Sequence, residues 1–316
     1  MRFLLKLIVL LALVAGTTAF AQTKGNGNGA VTLGVIMQTQ GNVALKSAQG
    51  PSLVLKKGQP IRKGALVQSG PDSNTVFAFP DGQVGALGPK GLFRLNGYAY
   101  DAQNLGNSDF SLSLIEGGLR VVMGEIGQGN PGALMLQVGT ATVALQSGAD
   151  SRPADASLVT QEGAVAISVE EGRLNVTLPS GQTQQVNAGQ TLVVSQSGIA
   201  ELGDTSKMLD ALRSSVLGQA IASQLAAAQS YGPAIAQAQA AMASVTAAIK
   251  AGQDPLLALA KAAGDPALAQ AFLFLQQLDN QPAPGDIALQ PPSAPSASTP
   301  STGAGGGGTP CAASCN

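Results

Sequence analysis

The chain has 316 residues and a formal net charge of −1, and charged residues make up 11% of it against roughly a quarter in ordinary soluble domains. It contains no His and no Trp. This excludes Ser-His-Asp and Cys-His catalysis, imidazole metal sites and the usual near-neutral proton switch, and the near-zero charge gives no electrostatic grip on nucleic acid.

Residues 1–21 read as a secretory signal peptide. Arg2 and Lys6 precede an apolar core from Leu7 to Ala15, and Ala19-Phe20-Ala21 supplies the small-residue cleavage pattern. The apolar run is shorter than the ~20 residues of a membrane span, so no stable span is expected after cleavage. The mature chain is expected to begin at Gln22 and to reach the periplasm or the exterior of a bacterial cell. Loss of Arg2 and Lys6 leaves 15 basic residues against 18 acidic ones, a balance of −3. Residues 22–29, with Gly25, Gly27 and Gly29, read as a flexible lead-in.

Residues 30–202 show strand after strand with turn residues between, which predicts a mainly β, rolled or sandwich-like antiparallel domain. In Phe77–Leu87, FAFPDGQVGAL, an Asp-Gly pair separates two apolar runs. That predicts a two-residue hairpin corner at Asp81 and Gly82, with Phe79 facing Val84, Phe77 facing Ala86 and Ala78 facing Gly85. Catalysis by Asp81 would need a second group, and the sequence identifies none, so the structural corner is the preferred reading. Leu178-Pro179-Ser180-Gly181-Gln182 repeats the pattern and predicts a second corner at Ser180 and Gly181. Gly58-Gln59 recurs as Gly189-Gln190, another repeated turn. Ala164–Val169 and Arg173–Leu178 read as strands, the second alternating apolar and polar. Glu170 and Glu171 read as a solvated turn before Gly172. Tyr98 and Tyr100 share a strand face beside Phe93 and Leu95, and fit either a core pair or a platform for a sugar or small ligand.

Residues 203–279 are rich in Ala, Leu and Gln and read as helices. Asp254-Pro255 and Asp265-Pro266 each place an N-cap before a first-turn Pro, and Gly232-Pro233 divides the long Ala/Gln segment. Leu209, Leu212, Val216 and Leu217 fall near one face of the earlier helix. These helices fit folding back onto the β domain or each other, or self-association through residues 204–279. Residues 280–316 are Pro, Ser, Gly and Thr, a composition expected to be disordered. The only cysteines, Cys311 and Cys315, fit a small disulfide loop, a bridge between chains or free thiols. No metal or cofactor is expected.

From about Gly34 to Gly198 the chain resembles the FecR-domain family of cell-envelope proteins. Gly41-Asn42-Val43 is similar to the family's early element, and Gly64–Ser73 resembles its G-x-x-V-x-T-G-x-x-S element. Phe79–Pro89 resembles F-x-D-G-S-x-x-x-L-G-P, Tyr98–Asp101 its aromatic strand, and Leu114–Gly124 its L-x-x-G-x-L-R-x-x-x-G. Glu171–Val176 and Ala188-Gly189-Gln190 resemble the late elements. The family's T-P-x-A-x-x-x-R-G-T departs here: Gly139–Gly148 ends in Gln146, Ser147 and Gly148 in place of Arg-Gly-Thr. The resemblance implies a non-catalytic β module outside the cytoplasm. The sigma-regulator role of well-known members needs a cytosolic segment and a membrane span, so it is not carried over. The expected function is protein–protein interaction or assembly in the envelope, with an unidentified envelope protein as partner. The alternative is binding of an envelope glycan or small ligand.

Overall fold

The computed structural model describes residues 30–46, 52–148, 151–264, 268–269 and 271–273. The signal peptide, the lead-in, the Asp265-Pro266 helix start, the tail 280–316 and both cysteines lie outside the described residues. The strands form two sheets that share one strand. β1 (Leu33–Gln40) lies in sheet I, while β2 (Val43–Lys46) and β3 (Leu53–Val54) lie in sheet II. β4 (Pro60–Arg62) returns to sheet I and β5 (Leu66–Ser69) to sheet II. β6 (Asn74–Ala78) and β7 (Val84–Leu87) form a hairpin in sheet I, and β8 (Leu92–Ala99) lies in sheet II. β9 (Asp109–Val122) serves both sheets.

Hairpins then alternate strictly between the sheets. β10 (Leu134–Val138) and β11 (Ala141–Gln146) extend sheet II; β12 (Asp155–Gln161) and β13 (Ala164–Glu171) extend sheet I. β14 (Arg173–Thr177) and β15 (Thr183–Asn187) follow in sheet II, then β16 (Gln190–Val194) and β17 (Ala200–Asp204) in sheet I. Sheet I runs β4-β1-β6-β7-β9-β12-β13-β16-β17, and sheet II β3-β2-β5-β8-β9-β10-β11-β14-β15. Every pairing is antiparallel except β9 with β10. This confirms the mainly β, sandwich-like expectation, with 43% of the described residues in strands.

β9 changes sheet at Gly117. Its first half pairs with β8 and β10 and its second half with β7 and β12. Gly117 has φ +81, and a Cβ there would lie 2.7 Å from the Gly91 Cα. Backbone cannot yield as a side-chain tip can, so Gly117→Ala combines a left-handed backbone with a backbone clash. It is expected to cost about 2–3 kcal/mol, read from the urea midpoint at constant slope.

The α-helices lying wholly among the described residues are α1 (Glu125–Gly129), α2 (Thr205–Leu212), α3 (Val216–Ser230), α4 (Gly232–Lys250) and α5 (Pro255–Ala263). α3 packs on β9, β12 and β13, α4 on β6 and β7, and α5 on β1. All of these contacts fall on sheet I. Ile235, Ala238, Met242, Val245 and Ile249 recur at helical spacing along α4 and are buried. Ile221 and Leu225 of α3 pack on Val159, Ala164 and Ala166. Sheet I and these helix faces bury each other, and residues 30–264 belong to one unit. The helix breaks fall at Gly232-Pro233 and at Asp254-Pro255, where Asp254 Oδ1 accepts from the Leu257 amide at 2.8 Å. Leu209, Leu212 and Leu217 pack on the α3 cluster, but Ser215 caps a new helix and leaves Val216 86% exposed.

The hairpin register differs from the expected one by a residue. Phe79 N donates to Gln83 O and Gly82 N to Phe79 O, closing a three-residue loop, Pro80-Asp81-Gly82. Only Gly82 takes positive φ, +85. Pro80 fixes the first position of a type I turn, and Gly82 supplies the left-handed residue of the bulge that follows. A one-residue slip moves each side chain against a new partner. Phe77 faces Gly85, whose missing side chain leaves room for the ring, and Ala78 faces Val84. The Pro179-Ser180-Gly181 corner repeats this geometry, Leu178 N donating to Gln182 O with Gly181 at φ +83. The Gly-Gln echo also holds: Gln59 Oε1 accepts from Lys56 N and Gln190 Oε1 from Asn187 N.

Candidate interaction surface

The Asp81 corner is buried under the end of α4. Asp81 is 0% exposed and Gln83 1%. Asp81 Oδ1 accepts from the Gln83 amide at 3.3 Å and from the Tyr98 hydroxyl at 3.4 Å. Burial pushes the Asp81 carboxyl up to about 7, against the pull of the Gln83 and Ile126 amides, and nearby Glu125 adds a smaller upward push. Around it, Glu125 accepts from the Tyr100 hydroxyl at 2.8 Å and from Lys250. Thr246 Oγ1 donates to Pro80 O at 2.7 Å. Asp81 is thus a corner residue, as expected, but also the buried centre of a polar joint between α4 and the sandwich.

A second joint holds α3. Arg120 Nε and Nη2 donate to the two carboxylate oxygens of Asp155 at 2.9 and 2.7 Å. Its Nη1 donates to Gln229 O in the last turn of α3 at 2.7 Å, where a cation meets the negative helix end. Glu170 sits beside them, accepting from the Ser157 hydroxyl at 2.8 Å. Burial pushes its carboxyl up to about 7, opposed by that hydroxyl. Glu170 is therefore no solvated turn residue; it is the penultimate residue of β13, beside the α3 joint, while Glu171, the last, pairs with Arg152 at the surface. The sequence did carry a signal for this joint, since Arg120 is the one charged residue within Leu119–Val122.

Tyr98 and Tyr100 are 3% and 1% exposed. The Tyr98 ring lies 4.6 Å from Phe79 in a core cluster with Phe77, Phe93 and Phe110. These rings have inward-facing positions on two packed sheets, so they form no ligand platform. Among the described residues the only aromatic ring not buried is Tyr231, which is half-buried.

What remains open is the outer face of sheet II. Arg94, Ser113, Gln137, Thr142, Thr177 and Thr183 stand opposite one another in a row across six strands. Ser113 Oγ reaches Gln137 Oε1 at 3.5 Å, and the Thr177 and Thr183 hydroxyls are 3.4 Å apart. Ile115 and Met135 add exposed apolar groups, at 46% and 53%. The face is broad and hydroxyl- and amide-rich, with Arg94 and Arg173 among its exposed side chains. Gln146, where the family's Arg is replaced, lies on it opposite Arg173.

No family model and no curated protein matches the chain. Two crystal structures of a candidate anti-sigma factor from Parabacteroides distasonis are similar to it. One has 16% identity and TM-score 0.35 over 44% of this chain and 59% of that one. The other has 14% identity and TM-score 0.35 over 47% of this chain and 63% of that one. The match therefore spans less than two thirds of the length of those proteins.

Proposed function

We propose that this chain is an exported, non-catalytic interaction module of the bacterial cell envelope, akin to the FecR-domain proteins whose motifs it resembles. It binds a protein partner through the uncovered side of its sandwich. The observation that carries this reading is the asymmetry of the two sheets. Sheet I is covered on its outer face by the molecule's own helices, whereas sheet II presents an ordered polar face with scattered apolar groups to solvent. Both raised carboxyls sit in the joints beneath the helices and serve packing. The glycan alternative loses the Tyr98 and Tyr100 platform it relied on. Among the described residues no helix is long and apolar enough to cross a membrane.

A chain cut at Leu202 makes a poor control, because losing α2–α5 would bare Val159, Ala164 and Ala166 on sheet I. The test instead places a photo-cross-linking residue at Met135 or Thr177 on sheet II, or at exposed Ser244 on α4, in the native host. One envelope protein captured from both sheet II positions but not from Ser244 is the expected result. Capture from Ser244 alone, or of cytoplasmic proteins only, would overturn the reading, as would retention of the chain in the cytoplasmic fraction.

A further inference from the structure

Four strands end the two sheets, and three of them are guarded. β3 is two residues long, β4 begins with Pro60 and carries Arg62, and β17 carries Glu201 and Asp204. β15, Thr183-Gln184-Gln185-Val186-Asn187, has five residues with no charge, proline or bulge. Its β14 ladder is bracketed by hydrogen bonds from Leu178 N to Gln182 O and from Ala188 N to Gly172 O. Alternation along an antiparallel ladder then turns the backbone groups of Thr183, Gln185 and Asn187 to the free edge. The Asn187 amide is held by Gln190 Oε1 at 2.9 Å, and the Gln184 side-chain amide rests on Gln185 O at 3.4 Å.

The sheet above reaches further. β15 packs across from β13 and β16, leaving β17 as an overhang. Leu202 stands beside Leu192 on the sandwich side, yet Leu192 is 0% exposed and Leu202 38%. Ile199, at the β16–β17 corner, is 63% exposed. The end of the sandwich is therefore a step: an unguarded strand edge below and an apolar shelf above.

We propose that this step receives one extended strand of a partner protein, which pairs with β15 and packs alternate apolar side chains under Leu202. This deepens the interaction-module reading and rests on it. The neutral edge selects an uncharged strand whose apolar residues alternate with polar ones, the latter continuing the hydroxyl and amide face of sheet II. A second copy pairing β15 to β15 about a twofold axis would drive two β17 overhangs into the same space, so the occupant is a strand with no second layer behind it.

The probe is a dye-labelled peptide with the sequence of residues 174–178, LNVTL, which repeats the uncharged part of the strand β15 already pairs with. The full mature chain is expected to bind it and to gain hydrogen-exchange protection at Thr183 and Gln185. An N-methylated twin should not bind, and Leu202→Lys should weaken binding by about tenfold or more. Leu202→Gln serves as a second variant, and circular dichroism checks that both fold. Equal binding of the twin, unchanged affinity in both variants, or no binding at millimolar peptide overturns the proposal. Should peptide binding fail while capture at Met135 and Thr177 persists, the edge assignment falls and the interaction reading stands. Should the peptide bind while capture fails, the edge assignment holds and the envelope reading falls.

Discussion

Asp81→Asn is expected to gain about 3 kcal/mol of stability relative to the native chain as the pH is raised from about 5 to about 8. The Asp81 carboxyl titrates at 3.8 when unfolded and at about 7 when folded, because burial disfavours its charge. Stability from this raised group is fully present below 3.8 and is lost as the pH rises through about 7. Its total contribution is about 4 kcal/mol, one pKa unit being worth about 1.4. Asn has the shape of the neutral acid, can accept from the Gln83 amide and does not titrate. At acid pH the two proteins should therefore be nearly alike, and the difference should open on the alkaline side. Glu170 pushes in the same direction but is common to both chains, so it cancels. Urea unfolding of both chains across this range measures the effect; parallel profiles would show that Asp81 is solvated and charged.

Arg120→Met is expected to cost about 3–4 kcal/mol, because it strands Asp155 without its cation. The two side chains are only 13% and 15% exposed, so water cannot take over the lost hydrogen bonds. The last turn of α3 loses the cation on Gln229 O at the same time. Hydrogen exchange should accelerate in the last turn of α3 and on Asp155–Gln161 before the rest of sheet I. The double variant Arg120→Met, Asp155→Leu should recover much of the loss, since a buried pair replaced by apolar groups of similar size is often neutral. If the double variant is as unstable as the two single losses added together, the pair is not coupled and the joint does not act as a unit.

Much of the fold was legible in local chemistry. Gly82 and Gly181 announced their corners because positive φ is cheap only for glycine, and Asp254 announced α5 because an N-cap acts within one turn. The slip in hairpin register was legible too: Pro80 ahead of Asp-Gly favours a type I turn with a bulge over the two-residue loop. Val216 was misplaced for a different reason. Its apolar character suits a buried stripe, but Ser215 competes as a cap and restarts the helix there.

The site was less legible, because burial of a polar group is a property of distant segments. Asp81 and Thr246 are 165 positions apart in sequence, and Arg120 and Gln229 are 109. No short pattern reports that α4 and α3 will close over those side chains. Tyr98 and Tyr100 show the same limit, since alternation gives them a shared face but cannot say whether that face meets solvent or a second sheet.

By itself the sequence determined the absence of histidine chemistry, the mainly β composition, the corners at Gly82 and Gly181 and the α5 start at Asp254, all of which depend on residue identity within a few positions. It also held a mark of the layering: apart from Ser168, β13 is apolar from Ala164 to Val169, while β14 alternates, as strands buried on two faces and on one face should. Only the tertiary structure decided that the helices cover sheet I, that Asp81 is sealed under them with Glu170 part-buried beside α3, and that sheet II and the β15 edge stay open. Those outcomes follow from which apolar surfaces find each other across the chain. Burial and the pKa values it sets are fixed by that pairing, not by the neighbours of a residue in sequence.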